Sequence, residues 1–273
     1  EVLPTHYYIL ELSAELKARQ QQCILEKVPA LYDRVVWLDR LPAQPFAGVV
    51  LANEVIDAMP VCQFKIQDDL CEAFGDSDQG QLKIIYLPTK NERLKQEFSM
   101  MNLDLAKGYE SEINLNINPW IASLSDSLSQ GLMLFIDYGF PRREFYHEDR
   151  HTGTLMCHFR HRAHDDPLLY PGIQDITAHV DFTAVAQAAT ANGCQVRGYT
   201  NQAWFLLNCG LTEMIGQTNS IVDQFTINQQ IKRLTLPSEM GELFKVMALT
   251  KELDVPLLGF SNRNQIGKLN DTL

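Results

Sequence analysis

Short apolar runs that stop at an acid dominate the first third of the chain. Tyr7-Tyr8-Ile9-Leu10 stops at Glu11, Arg34-Val35-Val36-Trp37 stops before Leu38-Asp39, and Val49-Val50-Leu51-Ala52 stops at Asn53-Glu54. Each run is continuous rather than alternating, which suits strands of a parallel sheet covered on both faces. After the first run, Ser13 has the character of an N-cap, and Ala14 to about Ile24 carries Leu16, Cys23 and Ile24 on one side of a helix. Strands alternating with helices predict an α/β fold.

The middle of the chain has a different pattern. Cys62 to Ile66, Leu70 to Phe74 and Leu82 to Leu87 read as strands, the last two about a polar turn from Gly75 to Gly80. The charged stretch from Asn91 to Lys107 reads as helix, and Asn118-Pro119-Trp120 opens another that runs to about Leu128. Gly131 to Ile136 is a buried strand ended by Asp137-Tyr138-Gly139. Asp181 caps the clearest helix, to Ala191, with Val180 and Val185 as a staple and Gly193 as its stop. Ala203 to Leu207, Thr212 to Ile231 and Ser238 to Thr250 are expected as helices, and Leu257 to Phe260 as a last strand.

At 273 residues and 45% hydrophobic composition the chain can bury a sizeable core. A net charge of −11 argues against a nucleic-acid partner, which needs a basic face, and permits a cationic one. No run of 18 apolar residues occurs, so no membrane span is expected. The six cysteines form no CxxC pair and lie mostly among apolar residues, which predicts free thiols in a reducing compartment.

In open α/β sheets ligands bind beyond the carboxyl ends of the strands. Glu11, Asp39 and Glu54 stand there together, with Asp137 at the end of a fourth strand. A carboxylate accepts two ribose hydroxyls in a fork, and an acid on the next strand can accept from an adenine amino group. The plainer alternative is that such residues start loops or cap helices. No GxG occurs before Glu11, although nucleotide sites use a glycine-rich turn after the first strand. Either the site is not a nucleotide site or that turn lies upstream.

Five stretches in order carry a family resemblance: "LELSAELKARQ" (10–20), "VVLANEVIDAMPV" (49–61), "LFIDYGF" (134–140), "GTLMCHFRHRAHDDPLLYPGIQDITAHVDF" (153–182) and "NQAWFLLNCG" (201–210). They resemble the MidA-like family of S-adenosylmethionine-dependent methyltransferases, whose mitochondrial members are arginine methyltransferases acting in respiratory complex I assembly. The resemblance implies an α/β, Rossmann-like methyltransferase sheet with an inserted, largely helical region. On that basis the core covers about 1–66, 120–200 and 240–273, with an insertion at about 85–119 and a helical region at about 203–236. It implies S-adenosylmethionine as cofactor, with Glu11 on the ribose, Asp39 near the adenine and Asn53-Glu54 toward the methionine part. It further implies a protein substrate carrying an arginine, a bacterial cytoplasm or mitochondrial matrix as location, and leaves a homodimer open. The family's first strand and glycine motif have no counterpart here. The chain is therefore expected to be a fragment, and weak or no cofactor binding is expected of it alone.

The chemistry sharpens the site. A guanidinium is cationic and a poor nucleophile, and carboxylates can orient its planar fork and localise its charge. Glu54 and Asp57, three residues apart beyond a strand, are candidates to meet one guanidinium, though Asp57 could simply cap a turn before Pro60. Tyr138 beside Asp137 is expected to line the pocket, or else to belong to a tight turn with Gly139 at positive φ. His158, His161 and His164 recur every third residue, which fits neither one helix face nor one strand face, so no metal is expected. The resemblance puts this segment over the substrate, with His161 as proton acceptor and Arg162, His179 and Asp181 as contacts. A methyltransferase fold serving as a non-catalytic assembly scaffold is the alternative, and a nicotinamide dehydrogenase is disfavoured because no GxGxxG occurs.

Overall fold

The computed structural model describes residues 3–160, 162–214 and 221–269. The first part of the chain forms β1 (Tyr7–Leu10), α1 (Ala14–Lys27), β2 (Val35–Leu38) and β3 (Phe46–Asn53). Next come β4 (Cys62–Ile66), β5 (Leu70–Asp78), β6 (Gln81–Pro88), α2 (Glu92–Met101), β7 (Glu110–Ile113) and α3 (Ile117–Ser127). The centre holds β8 (Leu128–Phe140), α4 (Arg142–Phe145), β9 (Met156–Phe159), β10 (Arg162–His164), β11 (Asp175–Thr177) and β12 (Val180–Asp181). The last third holds α5 (Phe182–Ala191), β13 (Gln195–Asn201), α6 (Gln202–Asn208), α7 (Ile221–Thr235), α8 (Met240–Leu243) and β14 (Phe244–Lys251).

A mixed sheet is the core. β14 runs antiparallel along one side of β8 with β13 outside it, while β3 and then β12 pair in parallel along the other side. Met133, Phe135, Met247 and Leu249 on one face pack against Ile121 and Leu124 of α3 and Val185 and Ala189 of α5. On the other face Val246 and Ala248 lie with Phe260, against the partly buried Leu134, Ile136 and Phe205. Between β3 and α3 the chain builds a four-stranded antiparallel sheet in the order β6-β5-β4-β7, whose Phe64 packs with Leu94 and Met101 of α2. A small sheet, β10-β9-β11, and the parallel pair β1-β2 complete the molecule. α6, α7 and α8 pack on one another.

Local chemistry accounts for the helix ends. Ser13 Oγ accepts from Leu16 N–H at α1, Asn91 from Leu94 N–H at α2, and Asp181 from the N–H groups of Thr183 and Ala184 at α5. Asn102 closes α2 in the left-handed region, φ 49°, so the helix ends at Met101, six residues short of the expected Lys107.

Several expectations are corrected. Ser238 to Thr250 is mostly strand: β14 is buried along nearly its whole length, and an apolar run of that length carries no period that separates strand from helix. Leu257 to Phe260 holds a turn of 3-10 helix, Leu258–Phe260. The hairpin of β5 and β6 pairs as far as Asp78 and Gln81, so its turn is only Gln79-Gly80, both at positive φ. β8 does not stop at Asp137 but runs on to Phe140, and Gly139 makes no tight turn. Glycine is needed there because an added Cβ would sit 2.1 Å from the carbonyl oxygen of Val180 on β12.

The first three strands are not covered on both faces. Among the described residues β1 pairs only with β2, and β3 only with β8, leaving an unpaired edge on each. Val49 is 65% and Leu51 60% exposed on β3, and Tyr7 and Leu10 of β1 are exposed as well.

Candidate active site

The site lies where β3 parts from β8. Pairing continues one residue past the strand, from Glu54 N–H to Ile136 O (2.9 Å), and then the chain turns away. Glu54 makes that turn in the left-handed region, φ 51°, which is uncommon for a residue with a side chain. The next three N–H groups, of Val55, Ile56 and Asp57, converge on one carboxylate oxygen of Asp137 at 3.3, 3.0 and 3.3 Å. The other oxygen accepts from Tyr138 N–H at 2.9 Å. Beyond the divergence β12 takes the place of β3 beside Gly139 and Phe140, and Ala178 N–H donates to Asp57 O, 3.0 Å, joining the two segments.

Asp137 and Tyr138, adjacent on a strand, point to opposite faces. Asp137, expected from sequence to contact the substrate, is instead 1% exposed and braces the loop. Burial and the nearby Asp57 charge push it up to about 7, against the pull of its N–H donors. Tyr138 donates its hydroxyl to Asp57 Oδ2, and burial with that bond raises the phenol well above its ordinary range. Asp57 is 4% exposed, and its Oδ1 is buried without a hydrogen-bond partner. Burial raises the Asp57 carboxyl, and Asp175 adds to the rise.

Aromatic rings gather about Tyr138, the hydrogen-bond partner of this carboxylate. The His179 ring meets Tyr138 edge-on at 5.2 Å and stacks on Phe140 at 5.4 Å, and Phe244 meets Tyr138 from β14 at 5.4 Å. His179 Nδ1 is buried without a partner. Burial lowers this imidazole to about 4, with the charges of Arg150 and Lys245 acting in the same direction, so it is neutral near pH 7. The Arg150 guanidinium lies 4.0 Å from the Phe140 centroid and the Lys245 ammonium 5.2 Å, the latter held down to about 8 by burial.

Asp181 also faces inward, contrary to its expected substrate contact. Its Oδ2 accepts from Arg142 Nε at 2.9 Å and its Oδ1 caps α5, in a pair whose side chains are 9% and 8% exposed. Behind it, buried Glu112 accepts from the N–H and hydroxyl of Thr154, and Thr154 Oγ1 accepts from His179 N–H. Sequence reasoning missed Glu112, Arg142, Thr154 and Lys245. The one available signal was Asp181 itself, an acid bordered by apolar residues that needs a buried partner.

A second set of acids stands at the β1-β2 pair. Leu10 and Leu38 are in register, so Glu11 and Asp39 leave adjacent strands at the same end. Glu11 is fixed by Ser13 N–H (2.9 Å) and Gln20 Nε2 (3.0 Å), and Gln20 in turn accepts from Trp37 Nε1 (3.1 Å). The Asp39 side chain is 89% exposed and 3.2 Å from Lys17 Nζ. Asn53, exposed at the end of β3, donates to Glu54 Oε1 at 3.1 Å. Arg162 is exposed on β10, and His161 lies outside the described residues. His158 is exposed and both nitrogens of His164 are buried without a hydrogen-bond partner, so these two histidines do not share one environment.

Residues 2–200 match the model of a family described as "putative S-adenosyl-L-methionine-dependent methyltransferase". The chain belongs to this family. A solved structure from Burkholderia thailandensis that holds S-adenosyl-homocysteine is 40% identical, with a TM-score of 0.89 over 95% of this chain and 67% of that one. Among curated proteins, the chain is 28% identical to "Protein arginine methyltransferase NDUFAF7 homolog, mitochondrial" of Drosophila melanogaster, over 84% of this chain and 54% of the relative. It is 27% identical to the Homo sapiens "Protein arginine methyltransferase NDUFAF7, mitochondrial" over 73% of this chain and 44% of the relative. The chain thus spans about half the length of these curated relatives.

The fold is that of the S-adenosylmethionine-dependent methyltransferases, and the residues present fit the cofactor of this family. Glu11 is anchored through Ser13 and Gln20, and a carboxylate has lone pairs beyond those two bonds for ribose hydroxyls. Asp39 beside it is open to solvent, and acids at strand ends also favour a cationic sulfonium nearby. No helix among the described residues is long and apolar enough to cross a membrane.

Proposed function

We propose that the protein carrying this chain is an S-adenosylmethionine-dependent protein-arginine N-methyltransferase acting on a guanidinium nitrogen of a partner protein. The observation that carries this reading is Asp57: a carboxylate buried to 4% exposure, one oxygen held by Tyr138 and the other without a partner, with aromatic rings gathered about that tyrosine. Buried acids are paired, and an acid left with an empty oxygen at the carboxyl end of a strand has its charge complement in a ligand. A guanidinium suits it in charge, in its planar fork of donors and in its preference for stacking on rings.

S-adenosylmethionine supplies the methyl group on a cationic sulfonium. Glu11, Asp39 and Asn53 are proposed to hold it. Asp57 receives guanidinium N–H groups on Oδ1, while Tyr138 fixes the carboxylate and Asp137 fixes the loop. Glu54, exposed on the same loop, closes the fork from outside. Holding charge on the far nitrogens leaves the attacking nitrogen freer, and positioning of this kind supplies most of the rate in a displacement. A guanidinium that gains a methyl must release a proton, and burial makes Asp57 the more basic acceptor. His161, Arg162 and His179 are proposed on the substrate side, with His179 presenting a neutral ring to the cation.

The test uses the full-length protein, an arginine peptide and labelled cofactor, with cofactor affinity measured separately by calorimetry. Asp57→Asn and Glu54→Gln should each lower kcat/KM by roughly 30-fold to several-thousand-fold, the effect of losing about 2–5 kcal/mol of desolvated charge pairing. Cofactor affinity should change little. Near-wild-type turnover in both variants refutes the fork. Loss of cofactor binding in Glu54→Gln moves Glu54 to the cofactor pocket.

A further inference from the structure

The four-stranded sheet ends in an edge strand, β6, whose outer side has no partner among the described residues. Facing it across a cleft of about 740 Å³ is the segment 165–169 that follows β10. Leu82 and Ile84 of β6 line one side, and Asp165, Asp166 and Leu169 line the other. Leu82 and Leu169 are about half exposed. An apolar strand edge left open beside a row of acids invites another backbone to pair with it.

The acids do not stop at the cleft. Burial raises the Cys157 thiol, with Asp166, Asp165 and Asp175 adding to the rise, and Asp175 also adds to the rise at Asp57. Cys157 sits on β9 between His164 of β10 and Ile176 of β11, next to Asp175. The small sheet lies between these acids and Asp57: β10 leads into Asp165 and Asp166, β11 begins at Asp175, and Ala178 just after β11 donates its N–H to Asp57 O at 3.0 Å. The one basic side chain lining the cleft, Lys83, is directed to Asp76 and Asp78 at 3.5 and 3.4 Å. Asp166 Oδ1 accepts from Leu168 N–H at 2.8 Å.

We propose that this cleft docks the protein substrate as an extended segment that adds a strand to β6, with lysine or arginine side chains beside the target arginine directed to Asp165 and Asp166. The proposal rests on the arginine reading above, since it is the target arginine that reaches Asp57. Backbone pairing to β6 supplies affinity without regard to sequence. The acids supply the preference for basic flanks, and Leu82 and Leu169 take apolar side chains between them.

Fluorescein-labelled twelve-residue peptides with one central arginine, flanked by lysine, glutamine or glutamate, are titrated against the full-length protein by anisotropy. Two exposed charge pairs predict a preference of about three- to tenfold for lysine over glutamine flanks, and weaker binding still for glutamate. The preference should disappear in the double variant Asp165→Asn, Asp166→Asn and shrink at about 0.5 M salt, where the Debye length falls to a few ångströms. Affinity that ignores the flanks, or a preference that survives in the double variant, overturns the proposal. Methylation of the same peptides separates the two readings. Basic-flank binding without methylated arginine sinks the arginine reading and leaves the docking intact. Equal KM for all three peptides with arginine methylated sinks the docking alone.

Discussion

Replacing Asp137 tests the brace on which the site depends. In Asp137→Ala the N–H groups of Val55, Ile56 and Asp57 lose their common acceptor. Val55 is exposed enough to reach water, but Ile56 and Asp57 are buried. Two orphaned buried donors cost roughly 1–3 kcal/mol each, so a loss of about 2–6 kcal/mol is expected. Asp137→Asn keeps an acceptor for the three donors but sets its amide against Tyr138 N–H, and should cost less. Its effect depends on pH. The folded carboxyl lies at about 7 against an ordinary 3.8, so the folded state holds its proton more tightly than the unfolded one. That contribution is complete below about pH 4 and is lost as pH rises toward 7, by about 4 kcal/mol in all at ~1.36 kcal/mol per unit. Relative to Asp137→Asn, wild type should therefore lose stability between pH 5 and 7. Urea unfolding of all three proteins at both pH values reads this out. A cost below about 1 kcal/mol for Asp137→Ala refutes the brace. A flat difference between wild type and Asp137→Asn refutes the raised carboxyl and shows that the N–H donors hold it ionised.

Two further expectations follow from the same neighbourhood. His179, neutral in the fold because burial takes it to about 4, favours the folded state above its ordinary 6.5 and loses that contribution as pH falls from 6.5 to 4; His179→Phe should remove about 3 kcal/mol of acid sensitivity between those values, measured by urea unfolding, and an unchanged slope would exclude a neutral buried ring. Arg142→Met strips the partner from buried Asp181 and should cost about 3–5 kcal/mol, while the double change with Asp181→Leu should recover much of it; equal losses in single and double variants would mean the pair is not what holds α4 to the start of α5.

The sequence made the capped helices legible, since Ser13 and Asp181 act through bonds only two or three residues long. It made β1 to β3 legible for a similar reason: each is a short apolar run bounded by polar residues. β14 was opaque because a fully buried strand and a buried helix share one composition. β9, β10 and β11 were opaque because their stability comes from one another and not from any period in His158, Arg162 or Asp175. At the site, Asp57 could be picked out from its place after a strand. The division of labour between Asp57 and Asp137 could not, because the N–H groups that Asp137 gathers lie about 80 residues away in the chain. Arg142 and Asp181 are likewise 39 residues apart, a separation over which no local pattern operates.

The unpaired edges of β1 and β3 bear on how the chain behaves in solution. Among the described residues each presents a row of N–H and C=O groups without a strand partner, and β3 sets Val49 and Leu51 beside its row with no lysine or proline along the strand to deter a stranger. Such edges recruit whatever extended backbone is at hand, including other copies of themselves. Preparations with these edges open should therefore clump at concentrations where a sheet with its edges satisfied stays dispersed, and colloidal behaviour has to be controlled before a failed binding assay can be read as chemistry.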